Sequence, residues 1–417
     1  MSQNHTIPFD LLLRNGHVID PSRSWNGIAD IGVRDGQIAA IGSGIEDVPS
    51  LEVVDAAGSY ISPGWIDLHG HWYEGGLYGI NAELGLNHGV TTAVDAGTAG
   101  FANFPAFHDT VIVRSRAQIL AFVHLSCLGL HATFAEELLN LAYARPEETA
   151  MVIDRYRNVT AGVKVRIGSM TGSHGNRAFD LALEAAEMAG SPLMVHISAG
   201  ADEKYILHHL RPGDILTHCF HGNENRLFDE PSGSLTPEVW SARERGIVFD
   251  IGHGCGSFSW DSAQRAYEQR FWPDTISTDL HRYSVEPPWS VTMPQVLSKF
   301  LALGMSLNDV IAKVTAAPAR ALNRPQLGTL APGAVADLVQ FRLVEGEFIF
   351  TDAKQDTRRG ERLIEPLLCI RKGVPYRPGD VQAPMRPLYP CDEAVFPSPK
   401  ADASSPIHFN RASPRKP

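Results

Sequence analysis

The sequence predicts an α/β protein in which a (β/α)8 TIM barrel adjoins a small β-sandwich built from both ends of the chain. Residues 1–60 consist of short runs of alternating apolar and polar side chains separated by turn residues, which is typical of strands. Residues 61–325 alternate short apolar runs with helical patterns, as βα units around a parallel sheet do. Residues 326–390 return to strand-like runs after a Gly/Pro turn, so we expect them to complete the sandwich with residues 1–60.

Turn residues delimit the strands of the two chain ends. The pair Asp35-Gly36 lies between two alternating runs and is a strong hairpin signal. Asn15-Gly16 marks another predicted turn. The strands are predicted at Phe9–Arg14, Gly16–Asp20, Ala29–Arg34, Gln37–Ile41, Leu51–Asp55, Ala336–Phe341 and Leu367–Lys372.

Eight barrel strands are predicted from short β-branched runs, with helices between several of them. Eight strands in roughly 260 residues match the size of a (β/α)8 barrel. A doubly wound open sheet would have the same periodicity, but the sequence holds no Gly-rich phosphate turn to support it. The strands are predicted at 65–71, 91–97, 119–126, 162–167, 193–198, 214–219, 247–252 and 275–280, and the helices at Ala178–Ala189, Pro237–Arg245, Ser262–Arg270 and Thr292–Leu303.

Composition and charge restrict the class of protein. Hydrophobic residues make up 44% of the chain and charged residues 20%, which is ordinary for a globular protein with a large core. The 36 basic and 47 acidic residues give a net charge of −11, so we expect no nucleic-acid partner and no binding to an anionic membrane. Residues 391–417 are rich in proline, serine and charged side chains, which predicts a mobile tail.

Signals for membrane insertion or export are not expected in this chain. No window approaches the roughly 18 consecutive apolar residues that a membrane helix needs. Residues 1–10 lack the basic-then-apolar layout of a signal peptide. The five cysteines are odd in number and scattered, which is typical of free thiols in a reducing compartment. A cytoplasmic protein is therefore predicted, and homo-oligomerisation stays open because no sequence feature bears on it.

The strongest chemical signal is the run DLHGH at residues 67–71, at the end of the first predicted barrel strand. His69 and His71 are two residues apart on a strand, so both side chains point to the same face, which in a barrel is the interior. Imidazole nitrogens are the commonest protein ligands of zinc-like metals. A polar turn is the alternative explanation of this motif alone, and the apolar run before His69 argues against it.

Four further groups lie on other predicted strands. Lys164 lies in the fourth strand, His196 and His218 end the fifth and sixth, and Asp279 ends the eighth. Each of them alone has a structural explanation, such as a buried hydrogen bond or a solvated charge. The carboxyl ends of barrel strands, however, converge on one mouth, where barrel active sites lie. We therefore interpret the two histidines of the DLHGH run and these four residues as one metal site.

The lysine in this set has a specific chemical explanation. A protonated amine has no acceptor and cannot bind a metal, but burial lowers its pKa and the neutral amine can add CO2. The resulting carbamate is an anion with two oxygens that can bridge two divalent ions. Histidine and carboxylate ligands favour zinc as the metal, although such sites also accept manganese or iron. The predicted ligands are His69, His71 and Asp279 for one ion and His196 and His218 for the other, with N6-carboxylated Lys164 between them.

These features resemble those of the amidohydrolase superfamily over about residues 8–390. The shared features are the N-terminal strands, the HxH pair, the lysine of the fourth strand, the two later histidines and the final aspartate. Several motifs are similar to a narrower branch, the dihydroorotase-like metallohydrolases called deacetylases, which includes an esterase acting on acetyl-(R)-mandelate. These motifs are ISPGWIDLHGH, GVTTAVDAGTAG, GVKVRIGS, THCFHG, DIGHGCGSFS and TISTDLH.

The resemblance implies hydrolysis of an ester or amide bond in a small acylated acid, with deacetylation favoured. Asp279 is predicted to act as the general base, taking a proton from the attacking water and delivering it to the leaving group. Arg166, two residues after Lys164, is a candidate for binding a substrate carboxylate through two hydrogen bonds, although a structural salt bridge explains it equally. His253 and His281 are further candidates for substrate binding because each lies near a predicted strand end.

Two alternative functions remain open. Cyclic-amide hydrolysis in the manner of a dihydroorotase or hydantoinase is the first, although conventional dihydroorotases carry different substrate-binding loops. A non-catalytic dihydroorotase-like scaffold is the second. A scaffold predicts missing metal ligands, whereas all six are present. A small-molecule substrate is the partner that the sequence indicates.

Overall fold

The computed structural model describes residues 7–74, 77–131, 137–224, 227–230, 232–285 and 290–383. The predicted tail, residues 391–417, lies outside the described residues. The strands are β1 (Phe9–Asp20), β2 (Trp25–Arg34), β3 (Gln37–Gly42), β4 (Ser50–Asp55), β5 (Tyr60–Pro63), β6 (Trp65–Gly70), β7 (Val90–Gly100), β8 (Gln118–His124), β9 (Thr160–Ile167), β10 (Leu193–Ile197), β11 (Ile215–Thr217), β12 (Val248–Phe249), β13 (Leu338–Thr351), β14 (Thr357–Arg371) and β15 (Val374–Tyr376). The α-helices are α1 (Phe104–Thr110), α2 (Pro146–Arg155), α3 (Gly175–Ala189), α4 (Glu203–His209), α5 (Pro237–Glu244), α6 (Trp260–Glu268), α7 (Met293–Ala302), α8 (Leu307–Ala312) and α9 (Ala316–Ala321).

One sheet combines strands from both ends of the chain. Its order is β15-β14-β13-β5-β1-β2-β3, and β4 pairs with β1. The two ends meet where β5 and β13 pair antiparallel, with Pro63 opposite Leu338. Leu13, Val33 and Ile370 belong to one buried core cluster that draws on strands of both ends. The prediction that the two ends build one β-structure is confirmed, and its strands form a single hydrogen-bonded sheet; the domain boundaries at residues 60, 325 and 390 stay predictions.

The two predicted turns of the N-terminal region behave differently. Asp35 and Gly36 have φ values of 50° and 71° and join β2 to β3, which is the two-residue hairpin that Asp-Gly favours. The prediction of a turn at Asn15-Gly16 is wrong, because β1 continues through both residues with a register shift. Asn15 has φ 62° and its N–H donates to Asp30 Oδ1 at 2.8 Å. The irregularity is therefore accommodated as a bulge within one strand.

The second sheet is parallel and contains β6 to β12 in sequential order. Seven of the eight predicted barrel strands are therefore present at their predicted places. The seventh is shortened from 247–252 to Val248–Phe249. Gly252 has φ 48°, a left-handed conformation that a regular strand excludes, so the pairing ends before the residues that approach the barrel mouth.

The eighth predicted strand, residues 275–280, closes the barrel through isolated bridges instead of a regular strand. It bridges in parallel to Asp250 at its start and to Gly70 at its end. Asp279 has φ 47°, so the end of this segment departs from extended geometry. The segment nevertheless lies between the first and last strands of the parallel sheet, and this completes the predicted barrel.

The four predicted helices are confirmed as α3, α5, α6 and α7, within a few residues at each end. The longest, α3, buries a stripe of alanines and Phe179 against the barrel and ends at Gly190 in a left-handed cap. Among the described residues, no helix is both long and apolar enough to cross a membrane.

Candidate metal centre

The end of β6 and the barrel-closing segment bring three potential metal ligands together. His69 and His71 are both buried at the end of β6 and directly after it. Asp279 Oδ1 lies 3.4 Å from His69 Nε2 and 3.0 Å from His71 Nε2. The ligand atoms of these three residues lie within 4.8 Å of one another. This is the spacing of donors that share one metal ion.

Lys164 reaches the same place from β9. Its Nζ lies 3.4 Å from His69 Nε2, and the side chain is fully buried. Burial lowers the pKa of this amine to about 7, against the opposing effect of Asp279. Gly97, on the neighbouring strand β7, has φ 85°, and a Cβ added there would lie 2.7 Å from Lys164 Cγ. The absence of a side chain at Gly97 therefore gives the lysine its path into the centre.

His196 and His218 complete the cluster. Their ring centroids are 4.2 Å apart, and those of His218 and His69 are 4.9 Å apart. All six predicted ligands thus meet at the carboxyl ends of strands β6, β9, β10 and β11 and on the closing segment. His218 has φ 66° and Asp279 has φ 47°, and non-glycine residues held in this region store strain that is typical of functional sites.

The hydrogen bonds of the imidazoles show what the centre can bind. His218 Nδ1 lies 2.7 Å from Gly252 O, and since a carbonyl only accepts, Nδ1 carries the proton. The lone pair is then on Nε2, which is buried without a hydrogen-bond partner among the described residues. A buried acceptor without a partner is costly. A cation at the centre would satisfy it, and the carboxylate of Asp279 would share that cation.

The protonation states of the imidazoles suit metal binding. Burial is the largest cause that lowers the pKa values of His69, His71 and His196 far below the usual range. Burial also lowers the pKa of His218 to about 3. These four rings are therefore neutral near pH 7, which is the form that binds a metal.

Comparison with known proteins identifies the family. Residues 265–360 match the amidohydrolase family model. A deacetylase of Agrobacterium fabrum is 37% identical over 346 residues, which cover 81% of this chain and 83% of the relative. This chain belongs to the amidohydrolase family. It is a metal-dependent hydrolase, as the sequence predicts.

Solved structures support the same fold for this amidohydrolase. The crystal structure of an adenine deaminase is 31% identical, with a TM-score of 0.82, and covers 88% of this chain and 100% of its own. The crystal structure of a dihydroorotase is 32% identical, with a TM-score of 0.79, and covers 88% of this chain and 98% of its own. The predicted TIM barrel with its second sheet is therefore confirmed.

Arg166 of this amidohydrolase forms a buried ion pair whose partner the sequence does not reveal. Its Nε lies 3.1 Å from Glu137 Oε1 and its Nη2 lies 2.5 Å from Glu137 Oε2. Burial raises the pKa of Glu137, but Arg166 and His124 outweigh it and lower that pKa to about 2. The guanidinium also lies 5.8 Å from the centroid of the Tyr78 ring. Arg166 therefore has a structural partner, and its substrate role stays a prediction.

The two other predicted substrate-binding residues lie in different surroundings. His253 uses both ring nitrogens on protein groups: Nδ1 is 2.8 Å from Gly254 O and Nε2 is 2.6 Å from Lys299 Nζ. His281 lies beside the metal centre, with its ring centroid 6.1 Å from that of His71. The structure thus brings His281, and not the ring nitrogens of His253, to the predicted ligands.

Sequence reasoning misses the residues that support the ligands from behind. Thr217 Oγ1 lies 2.8 Å from His69 Nδ1, and Thr98 Oγ1 lies 2.9 Å from His71 Nδ1. Both threonines lie within motifs that carry the family resemblance, one directly before His218. Position in these motifs is a usable signal for such residues, whereas Glu137 has no comparable signal.

Proposed function

We propose that this amidohydrolase holds two divalent metal ions at the centre described above and uses them to hydrolyse an ester or amide bond of a small acylated acid. The observation that carries the proposal is the convergence of four neutral imidazoles on one carboxylate and one lysine amine. The proposed ligands are His69, His71 and Asp279 for one ion, and His196 and His218 for the other, with carboxylated Lys164 between them.

We propose the carbamate because it gives Lys164 an anionic group with two oxygens, whereas a protonated amine offers no lone pair and a neutral amine offers only one. Addition of the Lys164 amine to CO2 forms an N–C bond and releases one proton, which leaves an anion with two oxygens. The pKa of about 7 supports this step, since the neutral amine is the nucleophile. An anion between two cations also compensates the cost of burying this side chain. Zinc is the metal we propose, because the centre offers only nitrogen and oxygen donors.

When bound, two divalent ions would lower the pKa of the attacking water and polarise the carbonyl of the substrate. The remaining work falls to the chain itself. Asp279 Oδ1 faces both histidines of the HxH pair, so the carboxylate is positioned to take a proton from that water. The same carboxylate then delivers the proton to the leaving oxygen or nitrogen.

Deacetylation is the form of this reaction that we propose. The relative from Agrobacterium fabrum, which covers 81% of this chain, is named a deacetylase. Arg166 supports an acid as the substrate, because a guanidinium has five N–H donors and those used by Glu137 and Tyr78 leave others for a carboxylate. His281, which neighbours His71, is the second residue that we propose for the substrate side of the centre.

The test is a substrate screen with metal-reconstituted enzyme and parallel metal analysis. N-acetyl amino acids, O-acetyl hydroxy acids and cyclic imides form the three arms, and each acid is paired with its carboxamide. We expect about two zinc-like ions per chain, turnover of the acetylated acids, and a higher KM for the carboxamides. Turnover confined to cyclic imides would contradict the proposed reaction, and a metal-free, inactive protein would favour the scaffold alternative.

Cyclic-amide hydrolysis is the second candidate. The crystal structure of a dihydroorotase is 32% identical with a TM-score of 0.79, so the barrels of the two chains are closely similar. Barrel similarity does not determine the substrate, because the loops after each strand line the pocket. The cyclic-imide arm of the screen distinguishes the two candidates directly.

A further inference from the structure

A threonine and a buried aspartate lie behind His69. The ring nitrogen Nδ1 of His69 is 2.8 Å from Thr217 Oγ1, and the Thr217 hydroxyl donates to Asp250 Oδ2 at 2.8 Å. A hydroxyl has one proton, so Thr217 accepts from Nδ1–H while it donates to the carboxylate. Asp250 itself is 3.8 Å from His69 Nδ1, which is too far for a direct hydrogen bond.

The second histidine of the pair also has a hydroxyl behind it. His71 Nδ1 is 2.9 Å from Thr98 Oγ1. Asp95 Oδ1 accepts from the backbone N–H of Thr98 at 2.7 Å. Asp95 Oδ2 accepts from the N–H of Trp72 at 2.7 Å, so the carboxylate is held from both sides. His71 is therefore contacted by the hydroxyl of a residue whose backbone is anchored to a fixed carboxylate.

We propose that Thr217 and Thr98 are positioning residues that act as relays to the two histidines of the HxH pair: Thr217 joins His69 to the Asp250 carboxylate, and Thr98 joins His71 to a backbone that Asp95 anchors. The Thr217 relay places the proton on Nδ1 of His69 and leaves its Nε2 lone pair directed at the metal centre, while the Thr98 relay holds the ring of His71 in place. The Asp250 carboxylate strengthens the bond between Thr217 and His69 and raises the basicity of that ring, as second-layer partners of metal-binding histidines do. The inference rests on the proposed function, since it concerns metal binding by these histidines.

A purely structural role must be separated from this one. Asp250 also accepts from Thr275 Oγ1 at 2.6 Å and from Ser277 Oγ at 2.7 Å, and these bonds join the barrel-closing segment to the residue that follows β12. The substitution Thr275→Val removes one of these bonds and leaves Thr217 in place. It is therefore a matched control for Thr217→Val, which removes a hydroxyl from the same carboxylate and also from His69.

The experiment measures the affinity of the metal-free full-length protein for Zn2+ by competition with a chromophoric chelator. Circular dichroism and thermal unfolding of each metal-free variant report on folding. We expect Thr217→Val and Thr98→Val each to lower zinc affinity by about 10–100-fold. Thr217→Ser and Thr98→Ser, which restore the hydroxyl, and Thr275→Val should stay close to the wild type.

The outcomes distinguish this inference from the proposed function. Equal zinc affinity of the wild type, Thr217→Val and Thr98→Val would overturn the relays and leave the proposed function standing. An equal loss of zinc affinity in Thr275→Val and Thr217→Val would also overturn the relays, because Asp250 would then act by stabilising the barrel-closing segment. A wild-type chain that binds no zinc would overturn the proposed function and the relays together. The two threonines lie on different strands, so failure of one variant to fold leaves the other as the test.

Discussion

At the residue scale, the metal centre is a collection of groups that are expensive to bury separately. His71 Nε2 and Asp279 Oδ1 are 3.0 Å apart, and His71 Nδ1 is occupied by Thr98. In the metal-free protein a proton on Nε2 satisfies both atoms through a hydrogen bond to Asp279, whereas with the proton on Nδ1 two acceptors face each other and a cation between them is favourable. Metal binding at this point would offset the free-energy cost of burying these polar groups and would hold the ligands in place.

The first prediction concerns the proposed general base. Asp279→Asn should lower kcat by about 10²–10⁴-fold or more, because an amide cannot accept and return the proton. Metal content should remain largely intact, since the amide oxygen can still contact the ion. Kinetics with the best acetylated substrate and elemental analysis of the same preparation provide the measurement. Asp261→Asn, at an ion pair with Arg265 on α6, serves as the control, and retained turnover in Asp279→Asn would exclude the role.

The second prediction concerns the lysine. Lys164→Ala should lose the carbamate bridge, the bound metal and the hydrolytic activity together. The wild type reconstituted without CO2 should show the same losses. Lys313→Ala is the matched control, because Lys313 is another lysine whose pKa is lowered by burial, and it donates to Pro273 O outside the metal centre. Elemental analysis and initial rates measure the effect. Full metal content and full rate in Lys164→Ala would reject the carbamate.

The third prediction is a pH dependence of stability. Burial lowers the pKa of His281 to about 4, below the unfolded value of about 6.5. Between these values the unfolded chain binds the extra proton, so the metal-free protein loses stability as pH falls from 6.5 towards 4. His281→Gln removes this contribution. As pH falls across that window, the free energy of unfolding of His281→Gln relative to that of the wild type should rise by about 1.4 kcal/mol per pH unit. Urea unfolding at several pH values measures this difference. Parallel plots of unfolding free energy against pH for the two proteins would contradict the lowered pKa of His281.

At the scale of secondary-structure elements, the centre depends on how closely strands approach each other. Gly97 on β7 lies against the side chain of Lys164 on β9, with β8 between the two strands in the sheet. Its φ of 85° and the lack of space for a Cβ both require glycine at this position. A lysine inside the barrel thus needs a compensating small residue on another strand.

The fourth prediction tests this packing. Gly97→Ala should lower the free energy of unfolding by about 1–3 kcal/mol or more and displace Lys164, because the new methyl group overlaps its side chain. Gly213→Ala is the control: Gly213 has φ 88°, and a Cβ there meets nothing within 4 Å, so only the backbone cost of about 1 kcal/mol is expected. Denaturant unfolding and metal content measure both variants. Equal losses of unfolding free energy and equal metal contents in the two variants would show that the contact between Gly97 and Lys164 contributes nothing to stability or metal binding.

At the scale of the whole molecule, the metal centre lies at the point where the barrel closes. The proposed ligands come from β6, β9, β10 and β11 and from the irregular segment 275–280 that joins β12 to β6 through isolated bridges. Isolated bridges contribute fewer backbone hydrogen bonds than a regular strand. Asp279 as a ligand would therefore connect the closing segment to the first strand through the metal.

The fifth prediction follows from this connection. Removal of metal should lower Tm, and restoring free Zn2+ to 1,000 times its Kd should raise the stability of the folded state by about 4 kcal/mol. Scanning calorimetry at several free zinc concentrations measures the shift. The same titration on Lys164→Ala should give a smaller shift. A Tm that does not depend on zinc in the wild type would contradict a metal that binds the folded barrel.

Much of the fold and most of the metal centre can be predicted because their signals are local. Seven barrel strands and four helices lie where the apolar periodicity predicts them, since side-chain burial has the period of the element. The position of the eighth strand is predicted correctly, but its irregular backbone is not. The left-handed conformation at Asp279 has no signature in residue type. The bulge at Asn15 is missed for the same reason: an Asn-Gly pair is compatible with a turn and with a bulge.

The sequence by itself predicted the chemistry of this protein: six candidate ligands of three residue types lie on predicted barrel strands, and the motifs around them resemble the amidohydrolase family. Residue identity and strand period suffice to predict a shared metal site, because the barrel geometry makes strand ends converge, whereas the family is indicated by the motifs. Only the tertiary structure decided the partners of Arg166, His253 and His69, which are Glu137, Lys299 and Thr217. These partners lie far apart along the chain, and their contacts depend on loop paths and on the closure of the barrel, which no local pattern encodes.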